Sequence, residues 1–148
     1  MSSGVRLPTL PTAAPQIDPE TLPYWRAAAL GELVLPRCGN CERLFWYPRG
    51  ACPRCMSLDI EWQPSPGRGI IYSFTVVRRA AGMWSEATPY VLAYVTLDEG
   101  ITLVANIVDC DPAEVKVGLH VAALFERADD GETGVLRFAP AAGMAPTG

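Results

Sequence analysis

Two Cys-x-x-Cys pairs, Cys38 with Cys41 and Cys52 with Cys55, constrain this chain more than anything else in its sequence. Two such knuckles, ten residues apart, can close a tetrahedral cage of thiolates around one metal ion. Each contains small or turn-forming residues, Gly39 and Asn40 in the first, Pro53 and Arg54 in the second. Ligand type and spacing point to structural zinc. The same cage suits iron in a rubredoxin-like electron carrier, because softness and tetrahedral geometry fit both metals. A pair of disulfides is the other reading, but the N-terminus lacks the layout of an export signal and Cys110 leaves an odd number of cysteines. A reducing compartment fits better. Four thiolates leave no open coordination position, so a metal held this way neither activates water nor polarises a carbonyl.

At 148 residues the chain has room for one medium domain or two small ones. Its net charge of -4 gives no general attraction to nucleic acid or an anionic membrane. No apolar run approaches the roughly 20 residues that span a bilayer. These features predict a cytoplasmic protein.

Residues 1–17 are rich in Pro, Thr and Ser without apolar periodicity, which predicts a disordered tail. A short helix follows, with Asp18 or Thr21 as cap, Pro19 or Pro23 in the first turn, Gly31 at its end and an apolar stripe of Tyr24, Trp25, Ala28 and Leu30. That stripe covers either the protein's own ribbon or a partner. Glu32 to Pro36, Arg43 to Tyr47 and Leu58 to Gln63 read as short extended segments around the knuckles, the pattern of a zinc ribbon. So small a module depends on its metal for folding free energy. Pro64, Pro66, Gly67 and Gly69 then mark a boundary.

Beyond it come five strand-like runs: Ile70–Arg79, Tyr90–Leu97, Ile101–Val108, Val121–Arg127 and Val135–Ala139. Asp98-Glu99-Gly100 forms a hairpin turn, and Asp111-Pro112-Ala113-Glu114 opens a helical turn with a capping box. Five strands with a helical turn after the third predict an OB-fold barrel. The expected class is therefore mainly β: an N-terminal helix and rubredoxin-like zinc ribbon over 18–66, a five-stranded OB-fold barrel over 67–140, and a C-terminal tail over 141–148.

A ribbon beside an OB-fold raises nucleic-acid binding as an alternative function. Yet Pro89 to Cys110 contains no Lys or Arg, and its aromatics Tyr90 and Tyr94 fit one inward face of a strand. Positive charge gathers instead at Arg37, Arg43, Arg49 and Arg54 against the single acid Glu42, a local excess of three that leaves the rest of the chain at -7. Those arginines either offset the thiolate cage or hold a phosphate-bearing ligand. Met83 and Trp84, near the tip of a long loop, and Phe45 and Trp46, between the knuckles, are candidate interface residues. The alternative is burial in the fold. Catalytic groups are not apparent: His120 has no sequence-adjacent nucleophile or acid, Cys110 sits at a strand end, and the acids fall in turns.

Taken together, Tyr24-Trp25, the four-cysteine ribbon, Pro48, Gly67-Arg68-Gly69, Ile71 to Val77, Pro89-Tyr90-Val91, Leu97 to Gly100 and Asp109-Cys110-Asp111-Pro112 resemble a known family over Leu22 to Pro140. It comprises small bacterial and archaeal proteins with a helix, a zinc ribbon and an OB-fold, first catalogued as a domain of unknown function and later linked to acyl-CoA metabolism. The resemblance implies a non-catalytic accessory subunit of thiolases, related aldolases and condensing enzymes, some members being fused to acyl-CoA hydratases. The partner enzyme supplies nucleophile and bases, while the small subunit stabilises it and helps hold CoA. The family's zinc ligands fall on Cys38, Cys41, Cys52 and Cys55. Loss of part of this set in some archaeal relatives implies a structural metal. Tyr24 and Trp25 join Phe45, Trp46, Met83 and Trp84 as expected partner contacts, and Arg37, Arg43, Arg49 and Arg54 are the expected CoA contacts on grounds of charge.

Overall fold

Eight strands and one α-helix make up the computed structural model, which describes residues 4–141. Strand β1 (Val5–Arg6) is followed by a 3-10 turn at Pro19–Thr21 and helix α1 (Leu22–Ala29). Strands β2 (Leu33–Cys38) and β3 (Ile60–Ser65) then pair antiparallel and form the stem of the ribbon. The predicted extended segment at Arg43 to Tyr47 is reduced to one bridge, between Leu44 and Arg37. The knuckle turn leaves no room for a longer ladder there.

The barrel comprises β4 (Arg68–Val77), β5 (Tyr90–Leu97), β6 (Thr102–Ile107), β7 (His120–Arg127) and β8 (Gly134–Pro140). Their order is β7-β4-β5-β6-β8, and pairing of β7 with β8 closes the ring. This is the five-stranded OB-fold that the strand runs predict. Gly100, at φ 94, turns the hairpin between β5 and β6, where its amide donates to Leu97 O. Between β6 and β7 the chain makes only one 3-10 turn, Pro112–Glu114. Asp111 caps it through the Ala113 amide, and Glu114 reaches Asp111 through its backbone amide.

Along β5 and β6 the period-two pattern sends Val91, Ala93, Val95, Leu97, Leu103 and Ala105 inward, where Ile71, Val121, Phe125 and Phe138 meet them. Tyr90, Leu92 and Tyr94 therefore share the outward face, opposite to the inward placement that the sequence suggests. Aliphatic residues of small and middle size fill the narrow barrel, and the tyrosines are left outside.

One apolar core serves both modules. Tyr24 and Ala28 of α1 and Leu33 and Leu35 of β2 are buried in the same cluster as the barrel residues. Thus α1 covers its own protein, and Leu30, expected in the stripe but lying past the end of the helix, is exposed. The helix reaches the barrel because β8 begins with a glycine: a Cβ on Gly134 would run into the Ala28 carbonyl. Gly67, at φ 72 with Ala123 close by, turns the chain from β3 into the barrel.

The order of the N-terminal segment departs from expectation. Residues 4–17 lack apolar periodicity, but β1 adds in parallel to β7, pairing Val5 with Phe125 and Arg6 with Glu126. Beyond this short ladder and the packing of Val5 against the core, polar side chains hold the strap down. Glu126 is fully buried; its Oε1 accepts from Arg137 Nε at 3.0 Å, and its Oε2 accepts from Thr9 Oγ1 at 2.7 Å and Arg6 Nη2 at 2.9 Å. Arg137 also donates to Asn106 Oδ1 and Thr12 Oγ1, at 3.0 and 2.8 Å, while Arg6 reaches Asp109 at 2.7 Å. Every charge in this network has a partner, which a buried ion pair requires. Of the expected C-terminal tail, residues 142–148 lie outside the described residues. Among the described residues no helix is long and apolar enough to cross a membrane.

Burial alone would raise the Glu126 carboxyl, but the bonds from Thr9, Arg137 and Arg6 outweigh it and hold the group below its ordinary value of 4.5. Its contribution to stability is full above that value and is lost as pH falls through the depressed folded one. Glu126→Ala, by stranding Arg137, should cost about 3–5 kcal/mol in urea denaturation at pH 7 and release the strap to limited proteolysis. Its cost should shrink as the titration is repeated at progressively lower pH.

Candidate metal centre

The two knuckles are built alike, and the backbone does most of the positioning. In the first, the Glu42 amide donates to Cys38 O and the Cys38 amide to Arg43 O, both at 2.9 Å. In the second, the Met56 amide donates to Cys52 O and the Cys52 amide to Ser57 O, again at 2.9 Å. Glu42 and Met56 each adopt the left-handed conformation, at φ 67 and 66, which reverses the chain after the second cysteine of each pair. Amides also point at sulfur: those of Asn40 and Cys41 lie 3.3 Å from Cys38 Sγ, and those of Arg54 and Cys55 lie 3.4 and 3.5 Å from Cys52 Sγ. Such inward-facing amides form a concavity suited to anionic sulfur.

The four sulfurs converge within 4.8 Å of one another. Cys38 and Cys55 are 3.5 Å apart, and Cys41 and Cys52 are 3.7 Å apart. A tetrahedron with Zn–S bonds of about 2.3 Å has edges of about 3.8 Å, so the cage has the size that zinc demands. Bonds from the Cys41 and Asn40 amides bring the Cys38 thiol down, those from Cys55 and Arg54 do the same for Cys52, and the Asn40 side chain and the Ser57 amide favour the Cys55 thiolate. For Cys41 the Arg43 amide pulls the same way, but burial and the neighbouring sulfurs outweigh it and push the thiol up to about 11. A divalent cation reverses that balance by stabilising all four thiolates together. The donor set fits zinc, which would cross-link the knuckles without offering a coordination position for chemistry.

The arginines separate into two groups. Arg37 is already committed, to Glu61 at 3.0 Å and Glu42 at 3.6 Å, because its place on β2 faces Glu61 across the ladder. It is not a free cation for a ligand, contrary to the sequence expectation. Arg43, Arg49 and Arg54 are exposed and make no ion pair among the described residues; Arg49 Nε donates to Tyr47 O.

The aromatic candidates separate too. Tyr24 and Phe45 are buried, so the expectation that they touch a partner is corrected: their rings are used in the protein's own packing. Trp25 and Trp46 are half-buried beside Tyr24, with ring centroids 4.9 and 5.6 Å from it, and Tyr47 extends the cluster outward. Together with Leu103, Val104, Val135 and Leu136 they line a cleft of about 420 Å³ between ribbon, helix and barrel. Met83 is exposed, and Trp84 leans on Tyr90 at 4.7 Å at the opposite end of β5. Helical and ribbon periodicity is too short to reveal which of these rings face inward.

Among the described residues catalytic groups do not assemble. His120 lines a small cleft with Arg68 and Asp98, and among the described residues no hydrogen bond joins its ring to a hydroxyl, thiol or carboxylate. Burial, with the charges of Glu114 and Asp111, pushes the Cys110 thiol up, away from the reactive thiolate. The polar residues that sequence reasoning missed are Glu126, Arg137 and Asn106. Their one visible signal is a charge or amide at strand positions adjoining apolar runs.

The architecture is thus that of a zinc-ribbon and OB-fold protein with a closed metal site and no catalytic cluster among its described residues. Residues 25–61 match the family described as ChsH2, rubredoxin-like zinc ribbon domain, and residues 62–126 that described as ChsH2, C-terminal OB-fold domain. The chain belongs to this ChsH2/DUF35 family. It is 35% identical over 108 residues to a DUF35 domain-containing scaffold protein of Methanocaldococcus jannaschii, covering 72% of this chain and 77% of that one. Similarity extends to the benzoylsuccinyl-CoA thiolase subunit BbsA of Geobacter metallireducens, 33% identical over 89 residues, 60% of this chain and 59% of that one. A solved structure described as Ltp2-ChsH2(DUF35) aldolase superposes with a TM-score of 0.77 at 33% identity, over 86% of this chain and 98% of that one.

Cys52→Ser should reduce zinc to well below one ion per chain by elemental analysis and unpair β2 from β3. Because Leu33 and Leu35 also belong to the common core, thermal unfolding of the whole chain should move to lower temperature. An unchanged amide spectrum of β2 in the metal-free variant would refute this coupling.

Proposed function

We propose that this protein is a non-catalytic scaffold subunit that docks on a thiolase-superfamily enzyme, a thiolase or aldolase acting on acyl-CoA thioesters, stabilising it and helping it hold CoA. The observation that carries the reading is the saturated thiolate cage: the most chemically distinctive site in the chain cannot act as a Lewis acid. The scaffold and thiolase-subunit names of the relatives and the aldolase complex among the structural likenesses support it. Bond-making then belongs to the partner.

In this reading Arg43, Arg49 and Arg54 are the groups available to CoA phosphates. They are exposed cations with no carboxylate partner among the described residues, on a ribbon whose other arginine, Arg37, is already paired. Planar guanidinium groups suit multidentate phosphate contact. The nucleic-acid alternative has less support, since β5 and β6 contain no Lys or Arg with which to release counterions.

Three outcomes are expected. The pure chain should not turn over an acyl-CoA, whereas the complex with its enzyme should; robust thioester cleavage or condensation by the isolated chain would refute the reading. The triple substitution of Arg43, Arg49 and Arg54 by Ala should raise the KM of the complex for acyl-CoA about tenfold or more with little change in kcat, the signature of lost uniform binding. Single-stranded DNA or RNA should not shift at low salt.

A further inference from the structure

The outer face of β4, β5 and β6 is used neither by the core nor by the metal site. From Ile70 to Val77, Tyr90 to Leu97 and Thr102 to Ile107 these strands contain no charged residue. Half of such positions must point outward, and the register sets Ser73, Tyr94 and Val104 in one row and Thr75 and Leu92 in the next. A shift of register between Ile71 and Ser73 inserts Tyr72 as an extra, outward residue. Large apolar side chains consequently stand in solvent: Tyr72 is 68% exposed, Tyr94 52% and Val104 51%.

The face is also shaped. Ser73, Phe74, Thr75, Leu92, Tyr94 and Val104 border a groove of about 230 Å³. Val104 lines the aromatic cleft as well, so groove and cleft run into one another. Taking about 150–250 Å² for a whole aromatic side chain, the exposed surface of Tyr72, Leu92, Tyr94 and Val104 together is on the order of 400 Å². That falls within the roughly 300–600 Å² of the largest patch on an ordinary monomer, a patch that is often a functional surface.

OB-folds that bind nucleic acid use this same sheet region, furnished with cations and stacking aromatics. Here the aromatics are present and the cations stand only at the two ends of β4, Arg68 at its start and Arg78 and Arg79 past its end. Removal of charge from the centre, with charge retained at the rim, is the pattern of a protein interface core. A second copy would bring together two chains each of net charge -4 and would occlude the face on both.

We propose that the outer face of β4–β5–β6, continuous with the Trp25–Trp46–Tyr47 cleft, is where the thiolase-superfamily subunit docks, through an uncharged, apolar patch of its own. This rests on the scaffold reading above. The test uses the full-length, zinc-loaded chain and, as probe, the thiolase-superfamily subunit identified by mass spectrometry in its native complex and then expressed alone. Tyr94→Arg and Val104→Arg set a charge in the middle of the face, and Val117→Arg sets one at an exposed site outside these strands. By calorimetry, the two face variants should lose at least 100-fold in affinity and Val117→Arg less than twofold. Tyr94→Ser, expected to lose at least tenfold, replaces the arginine variants if they fail to hold zinc and a native circular dichroism spectrum. Wild-type affinity in all face variants would overturn the surface and leave the scaffold reading intact. Failure of any thiolase-superfamily subunit to bind the wild type would overturn both. Loss of self-association in light scattering, with partner affinity unchanged, would assign the face to a second copy and overturn the proposal.

Discussion

The convergence of four cysteine sulfurs is the constraint on which the rest of the molecule depends, because it ties together the open ends of β2 and β3 in a ribbon too small to fold by its own burial. Its reach extends beyond the ribbon. Leu33 and Leu35 project from β2 into the core that also contains Tyr24 and Ala28 of α1 and the interior of the barrel. A metal held there would therefore be coupled through β2 to the packing of the barrel core. The same four ligands rule the site out as a catalytic centre, since a saturated tetrahedron has nothing left to offer a substrate.

A second constraint is electrostatic. Glu126 is enclosed completely, and an unpaired carboxylate there would be untenable; Arg137, Arg6 and Thr9 supply the bonds that make it stable. The consequence is structural: an N-terminal segment with no apolar periodicity is drawn across the barrel as β1. Here polar residues do the ordering that hydrophobic residues usually do.

These two constraints leave the surface free for other purposes. The ribbon exposes arginines that lack acidic partners among the described residues, while the barrel exposes a sheet face from which charge is absent. Neither surface assembles a nucleophile, a base or an open metal position. Such a division suits a protein whose contribution to chemistry is to hold other molecules in place, and it agrees with the scaffold and subunit names borne by its relatives.

Local signals made much of this legible in advance. Knuckle spacing revealed the cage, alternation and turn residues revealed five strands in OB-fold order, and Asp98-Glu99-Gly100 revealed a hairpin, because each depends on neighbours within a few residues of the chain. What depends on distant partners was not legible. Arg137 meets Asn106 and Glu126 across strands, Arg37 meets Glu61 across the ribbon, and the strap finds β7 from 120 residues away. The direction in which Tyr90 and Tyr94 face was equally hidden, since alternation divides a strand into two sides without saying which one closes on the barrel axis. The amino-acid order by itself determined the metal cage and the succession of strands; only the closed tertiary structure decided which charges are buried, which aromatics remain outside, and that an unpatterned terminus becomes a strand, because those outcomes follow from contacts between residues far apart in the chain.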